Sequence, residues 1–286
     1  MATTFTNQAT LSYNGTQVLS NIAVGVLEGT LSITKNAVQD SYGAGDVLTY
    51  VVSIVNSGDT AVTGLTLTDD LGAYPFGADT VQPLTYVAGS VQYYTDGALQ
   101  PAPAVSVTDG LSISGITVPA SGNTTLIYSA QVNEYAPLAS GSSIVNTAEI
   151  DGTGVSAVQA QDTVPAAEAA QLSMLKSVSP IPVAENGQLT YTFQLINSGN
   201  TAVLTTDDAV VSDTFDPVLS GISAALDGTP LTAAQYTYDA VTGAFSTADG
   251  VIAIPAATYA QDPATGEWTM TPGSVTLTVT GTVGVV

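Results

Sequence analysis

Three kinds of side chain in this sequence could together form a covalent cross-link: an amine, a carboxyl and a primary amide. The amines are those of Lys35 and Lys176, which are the only two basic residues of the chain. The sequence has no cysteine and no histidine, which excludes disulfides, thiolate chemistry, most zinc sites and histidine acid–base catalysis. A lysine acting on an asparagine amide is a cross-linking chemistry that this composition still allows.

The composition also restricts the partners of the protein. Its 24 acidic residues face two basic ones, so the net charge is −22. A chain without a basic surface cannot neutralise phosphates, and nucleic acid is not expected as a partner. No run approaches the roughly 20 apolar residues of a membrane span, and "MATTFTNQATL" lacks the charge and apolar core of a signal peptide. We expect no membrane insertion, and the export route is not predicted.

The chain contains an internal repeat. Residues 31–62 align without a gap with residues 172–203, sharing "LTY" and a "NSG(D/N)TAV" run, and this alignment places Lys35 on Lys176. After a short insertion in the second copy, Asp69 falls on Asp213. The two lysines and these two aspartates thus hold equivalent positions.

Alternating patterns of apolar and polar residues predict strands throughout both copies. "VLTYVVSIV", "TLIYSAQV", "QLTYTFQLI" and "VTLTVTGTV" are rich in β-branched and aromatic residues, and Gly, Pro, Asn and Asp separate them. This pattern predicts an all-β fold of two tandem antiparallel Ig-like β-sandwiches. We expect an N-terminal arm at 1–27, the first sandwich at 28–160, a linker at 161–171 and the second sandwich at 172–286.

The last strand expected in the first copy is "IVNTAEI", which contains Asn146. In the second copy the strand "VTLTVTGTV" is followed only by residues 284–286, so the second sandwich is expected to lack its last strand. The opening stretch "FTNQATL" has the same Asn-x-Ala pattern, with Asn7 in the place of Asn146.

The opening stretch is therefore interpreted as a donor strand. A sandwich without an edge strand exposes apolar core and unpaired backbone groups, which another strand can cover. Head-to-tail exchange of this kind gives an open filament when the rotation between subunits does not close. The side chains expected to enter the second sandwich of a neighbouring subunit are Phe5, Asn7, Ala9 and Leu11.

The lysines, aspartates and asparagines fall into two sets, Lys35 with Asp69 and Asn146, and Lys176 with Asp213 and an incoming Asn7. The sets resemble the autocatalytic isopeptide sites of Gram-positive surface proteins. That resemblance implies that each lysine attacks the asparagine amide and releases ammonia, while the aspartate assists. The first bond would be intramolecular and the second would join subunits. The alternative is ordinary: a strand lysine is usually a solvated edge residue, and Asp and Asn are common at strand ends and turns.

A wider resemblance covers the first copy completely and the second up to its missing strand. "LSITK", "GDVLTYVVSIVNSGDTAVTGLTLTDDLG" and "VNTAEI" resemble the repeat of domain-of-unknown-function family eleven, a sandwich found in tandem in prokaryotic surface proteins. The resemblance implies an adhesin, layer protein or filament without an enzyme active site. Residues 225–272, which contain the only tryptophan, Trp268, depart from the repeat. They are interpreted as a lateral contact between subunits or an elaborated hairpin.

These observations favour a structural subunit of an extracellular pilus-like filament on a cell or spore surface, which polymerises with copies of itself and uses no cofactor. The alternative is a surface adhesin or carbohydrate-binding module, although no aromatic cluster marks a binding face. An enzyme such as a glycosidase ranks last, because no cleft can be argued from the sequence. The aspartate pairs at 69–70 and 207–208 do not form a calcium loop, so no metal site is expected.

Overall fold

The computed structural model describes residues 2–284, with the backbone alone for residues 2–4 and 26–28. Met1, Val285 and Val286, which belong to the expected arm and second sandwich, lie outside the described residues. Within residues 2–284 the regular structure consists of β-strands and one 3₁₀ turn, Thr205–Asp207, which confirms the all-β prediction. No helix in this part of the chain is long and apolar enough to cross a membrane.

The strands of the arm and of the first compact unit are β1 (Ala2–Asn7), β2 (Thr10–Tyr13), β3 (Thr16–Leu19), β4 (Ala23–Glu28), β5 (Leu31–Ala37), β6 (Val47–Asn56), β7 (Val62–Asp69), β8 (Tyr74–Phe76), β9 (Asp79–Val81), β10 (Leu84–Tyr86), β11 (Gln92–Thr95), β12 (Ala98–Leu99), β13 (Ala104–Ser106), β14 (Leu111–Val118), β15 (Asn123–Val132), β16 (Ser143–Gly152) and β17 (Val155–Pro165). The strands of the second unit are β18 (Leu172–Ser179), β19 (Gln188–Asn197), β20 (Ser212–Thr214), β21 (Leu219–Leu226), β22 (Thr229–Pro230), β23 (Tyr236–Tyr238), β24 (Ala244–Thr247), β25 (Thr258–Gln261), β26 (Trp268–Thr271) and β27 (Gly273–Val283).

The first unit comprises Met1–Ala136 and Ser143–Pro165. One sheet has the order β12-β11-β15-β6-β5, with β10 also paired to β15, and the other has the order β13-β14-β7-β16-β17. Because side chains alternate between the two faces of a strand, one face of β6 supplies core residues. These are Leu48, Tyr50, Val52 and Ile54, all fully buried.

The first sandwich ends with a hairpin rather than with a single strand. After β16 the chain turns and runs back as β17, which pairs with β16 from Ser143↔Pro165 to Gly152↔Val155. Since β17 continues to Pro165, residues 161–165 are strand, which corrects their assignment to the linker. β17 was missed because its valines, at 155, 158 and 164, do not alternate regularly with polar residues.

The second unit has the same arrangement but an open edge. Its sheets have the orders β18-β19-β27-β21-β22 and β20-β24-β23, around a core that includes Phe193, Phe215, Leu277 and Val279. In the first unit β7 lies between β14 and β16. The equivalent strand β20 pairs with β24 on one side, and within residues 2–284 no strand pairs with its other side.

The region from 225 to 272 is only partly an elaboration. β23 and β24 join the sheet of β20 and so belong to the sandwich itself. β25 and β26 form a separate two-stranded hairpin, in which Trp268 lies opposite Gln261.

The arm forms its own small structure. β1 pairs with β4 and β2 pairs with β3, both antiparallel, and these are the only ladders of the arm among the described residues. Large apolar side chains remain at its surface: Phe5 is 56% and Leu11 is 69% exposed. Exposed apolar groups on a two-stranded ribbon are stabilised when another surface covers them.

Candidate cross-linking sites

Lys35 faces the interior because of its position on β5. Leu31, Ile33 and Lys35 alternate with exposed residues and share the buried face of the strand. The Lys35 side chain is 0% exposed. A buried ammonium group is costly unless it is paired, so the period of the strand places this lysine in a position where its charge is disfavoured.

Three donors hold the carboxylate of Asp69, the last residue of β7. Asp69 Oδ2 accepts from Lys35 Nζ at 2.5 Å and from the hydroxyl of Tyr128. Asp69 Oδ1 accepts from the Leu71 N–H at 2.9 Å. The carboxylate is fully buried, and these contacts fix its position beside the amine.

Asn146 lies on the neighbouring strand β16 and is also fully buried. Its Oδ1 accepts from the Gly72 N–H at 3.2 Å. Its Nδ2 lies near the Tyr50 hydroxyl, but neither atom completes a hydrogen bond with any described residue. An unsatisfied buried amide nitrogen costs about 1–3 kcal/mol, and a reaction that expelled this nitrogen would relieve that cost.

The electrostatics of the site make the neutral form of the amine easier to reach than in an exposed lysine. Burial lowers the pKa of Lys35, and the negative charge of Asp69 opposes that effect. Burial also raises the pKa of Tyr128, with Asp69 adding to the rise, so Tyr128 remains a hydrogen-bond donor. Lys35 Nζ lies 4.6 Å from the ring centroid of Tyr50, the residue that Asn146 also adjoins. The amine and the amide therefore both adjoin Tyr50, and the carboxylate accepts from the hydroxyl of Tyr128.

The structure adds groups that the sequence did not indicate. Tyr128 and the Leu71 N–H orient Asp69, and the Gly72 N–H polarises the Asn146 carbonyl. Tyr128 lies directly opposite Tyr50 on β15 and β6, and its inward position in "TLIYSAQV" was the available signal. No sequence signal indicated the Leu71 and Gly72 N–H donors, because their positions depend on the path of the turn after β7.

The second unit contains the corresponding amine and carboxylate in an open setting. Lys176 Nζ forms an ion pair with Asp213 Oδ2 and lies 4.7 Å from the ring centroid of Tyr191 and 5.7 Å from that of Phe215. The Lys176 side chain is 41% exposed, whereas that of Lys35 is 0% exposed. Tyr128 has no hydroxyl counterpart, since the aligned residue is Val279.

The apolar neighbours of Lys176 are uncovered as well. Leu31 is 5% exposed, but its counterpart Leu172 is 54% exposed; Ile33 is 9% exposed, but its counterpart Met174 is 53% exposed. A groove of about 220 Å³ lies above this part of the second core. The described residues that line it are Leu172, Ser173, Met174, Leu195, Ala209, Val210, Val211, Ile252 and Ile254.

The four residues expected to form the donor face lie in the arm, on β1, on β2 and between them. Asn7 pairs with Ala23 of β4, so its ladder partner belongs to the arm. The residues of β16 aligned with the donor face are all buried in the first core: Ile144, Asn146, Ala148 and Ile150. Their arm counterparts, in the same order, are Phe5, Asn7, Ala9 and Leu11, and all four are exposed.

Comparisons with known proteins give similarity of architecture only. No family model matches the chain, and no curated protein matches it. The major pilin subunit BcpA of Bacillus cereus is 15% identical, with 95% of this chain and 73% of that chain covered and a TM-score of 0.38. The major pilin GBS80 of Streptococcus agalactiae, a C-terminal fragment, is 12% identical, with 85% and 91% covered and a TM-score of 0.35. A collagen-binding domain of a Staphylococcus aureus adhesin is 11% identical, with 46% and 95% covered and a TM-score of 0.29. Similarity at this level does not assign a function.

Proposed function

We propose that this protein is the subunit of an extracellular filament that polymerises head to tail. The N-terminal arm of one subunit enters the groove of the second unit of the next, and Lys–Asn isopeptide bonds lock the assembly. The observation that supports this most directly is the contrast between the two units. Leu172 and Met174 are exposed where Leu31 and Ile33 are covered, and the arm presents the sequence pattern of β16, which has no counterpart beside β20 among the described residues.

The register of the first unit specifies how the arm would dock. β16 pairs with β7 so that Ala148 lies opposite Asp69 and Ile150 opposite Leu67. By alignment, Ala9 would lie opposite Asp213 and Leu11 opposite Val211. Burial of the two large side chains of the donor face would contribute roughly 1.5–3 kcal/mol each, before the entropy cost of association.

The cross-linking step is an exchange of one amide for another. A proton passes from the Lys35 ammonium to Asp69, and the neutral amine attacks Cγ of Asn146. The Gly72 N–H stabilises the negative charge that develops on Oδ1. The bond from Cγ to Nδ2 breaks, and Nδ2 leaves as ammonia with a second proton from Nζ, while Asp69 keeps the first. The product is a neutral amide in a core that previously contained an ion pair.

The second bond would form by the same steps between subunits. Lys176 and Asp213 are already in contact, and the arriving strand would place Asn7 where Asn146 lies in the first unit. Insertion would also exclude water from Lys176, which supplies the desolvation that Lys35 has within its own chain. The reaction thus becomes favourable only after a subunit has docked.

A filament of this kind belongs outside the cell, on a cell or spore surface. The resemblance of the repeat to domain-of-unknown-function family eleven supports this placement. The net charge of −22 favours dispersion of finished filaments, because like-charged surfaces repel.

Deletion of residues 2–12 tests the proposal. The shortened chain is expected to remain monomeric in light scattering and to form no filaments in electron micrographs, because the donor face is gone. Its first unit retains Lys35, Asp69 and Asn146, so loss of one ammonia should persist in the intact mass and serves as the control for folding. Normal filaments from this variant would contradict the proposal.

A further inference from the structure

The arm matches more than the single strand β16. Aligning Asn7 with Asn146 also aligns Gly15 with Gly154, without any gap. Both glycines lie in hairpin turns with φ of 80°, a left-handed conformation that glycine adopts without strain. The similarity between arm and first sandwich therefore extends through the turn that follows β16.

The pairing register of the two hairpins is the same at their open ends and beside the turn. Asn7 lies opposite Ala23 in the arm, and Asn146 lies opposite Asp162 at the aligned positions. Nearer the turn, Tyr13 lies opposite Thr16, and the aligned Gly152 lies opposite Val155.

Each hairpin shifts register by one residue between these two points, but the shift lies between Asn7 and Thr10 in the arm and between Ile150 and Gly152 in the first unit. In the arm, Ser20 forms two hydrogen bonds with Ala9 at the position of this shift. Its N–H donates to the Ala9 carbonyl at 2.8 Å, and its hydroxyl accepts from the Ala9 N–H at 2.9 Å. Apart from Thr10 and Leu11, which pair one residue out of step with the aligned Glu149 and Ile150, the arm is thus already paired as β16 and β17 are paired.

One cross-strand pair of the arm divides its side-chain volume differently from its counterpart in the first unit. In the first unit Ile144 lies opposite Val164, and both are buried. At the aligned positions Phe5 lies opposite Gly25. The Phe5 ring crosses Gly25 so closely that a Cβ on that glycine would lie 2.3 Å from Cζ. In the arm, a phenylalanine opposite a glycine thus replaces an isoleucine opposite a valine. Residue 25 must be glycine for the Phe5 ring to lie where it does.

In the first unit, the second strand of the hairpin is β17, and it also contacts β5. The Ala37 N–H of the segment that ends β5 donates to Asp162 Oδ2 at 2.6 Å, and the Tyr42 N–H donates to the Pro165 carbonyl at 3.0 Å. β18, the equivalent of β5, is exposed along almost its whole length. Ala23 of the arm aligns with Asp162 and has no carboxylate. The contacts that close β18 would therefore be backbone hydrogen bonds and apolar contacts.

We infer that the donated element is a preformed β-hairpin, β1–β2 with β3–β4, whose second strand closes β18 as β17 closes β5. The occupant of the groove in the second unit is thus the whole arm of another copy of this chain. This inference rests on the proposed function. It also explains the short connection of residues 29–30 between the arm and β5, since the hairpin passes almost directly into the first sandwich of its own subunit.

The exchange of one residue pair tests the inference. Gly25→Val should abolish assembly, because valine at this position displaces the Phe5 ring. The double variant Phe5→Ile with Gly25→Val recreates the Ile144–Val164 pair and should restore assembly. Val24→Thr is the matched control: it recreates the aligned Thr163, which is exposed, and should assemble like the unmodified chain.

A second experiment separates this inference from the proposed function. Residues 16–27 are replaced by a Gly/Ser segment of equal length, which keeps the first strand and its reach. Loss of filaments is expected if a hairpin is donated. Normal filaments from this variant, or from Gly25→Val, would overturn the hairpin while strand exchange still stands, provided that deletion of residues 2–12 abolishes assembly. Filaments after that deletion would overturn both.

Discussion

Lys35 and Lys176 hold equivalent positions on the first strands of their sandwiches, yet the side chain of Lys35 is 0% exposed and that of Lys176 is 41% exposed. Each contacts its own aspartate. The difference is what covers the lysine: β16 and β17 complete the first sandwich, and no described strand does so in the second. The completed site of the first unit therefore serves as the template for a site that two subunits would share.

Lys35→Met should remove the intramolecular bond. The intact mass is then expected to show no loss of ammonia, beyond the change due to the substitution. Closing a loop of about 100 residues by a covalent link stabilises a fold by roughly 4–5 kcal/mol in the chain-entropy model. We expect a loss of that order in the free energy of unfolding of the first sandwich, measured by urea titration. Lys176→Met is the control and should leave this transition unchanged.

Tyr128→Phe tests the group that orients Asp69. The substitution keeps the ring in the core but removes the donor to Asp69 Oδ2, so the carboxylate is less firmly placed beside the amine. We expect slower and incomplete loss of ammonia during folding, followed by mass spectrometry over time. Tyr93→Phe is the matched control, because its hydroxyl bonds to Thr117 and not to the site. Unchanged kinetics in Tyr128→Phe would show that this hydroxyl has no positioning role.

The lowered pKa of Lys35 predicts a pH dependence in a chain that cannot form the bond. In Asn146→Ala the amine stays free. Because its pKa in the folded state lies below the ordinary 10.5, the unfolded chain binds more protons, and the stability rises with pH. We expect the free energy of unfolding to increase as the pH is raised above the pKa of Lys35 in the folded state, measured up to about pH 9.5, below the range where unfolded tyrosines ionise. The added substitution Lys35→Met should remove this rise, and its persistence would contradict the assignment.

Lys176→Met separates docking from locking. The groove and the donor face remain, so filaments should still form and be visible by electron microscopy. The bond between subunits cannot form, so these filaments should dissociate to monomers in boiling detergent. Asn7→Ala should behave in the same way, because it removes the other partner of the same bond. Resistance equal to that of the unmodified filaments would mean that the subunits are joined by other groups.

Much of the fold follows from local patterns in the sequence. Strict alternation on β6 and β15 and the duplicated "LTY" and "NSG" runs identify two sandwiches and place Lys35 and Lys176 in equivalent positions. β17 was not predicted, because its valines, at 155, 158 and 164, do not alternate regularly with polar residues. A strand at a sheet edge needs few apolar residues, so composition alone indicates it poorly.

In the candidate site, too, some residues could be predicted from local sequence, whereas others depend on contacts between distant parts of the chain. The lysines, aspartates and asparagines could be found from their types and repeated spacing. The roles of Tyr128 and of the Gly72 N–H depend on strand register and on the path of a turn, which bring residues distant in sequence together. The match between Phe5 and Gly25 is likewise visible only once β1 and β4 are paired.

The most direct test of covalent head-to-tail assembly is a denaturing gel of assembled protein, followed by peptide mapping of the bands. We expect a ladder of multimers that survives boiling, with Asn7 of one chain joined to Lys176 of another and one ammonia lost at that bond. Assembled protein that runs only as monomer, with Asn7 and Lys176 recovered in unmodified peptides, would contradict covalent locking. Filaments that show such a result would be joined by strand exchange alone.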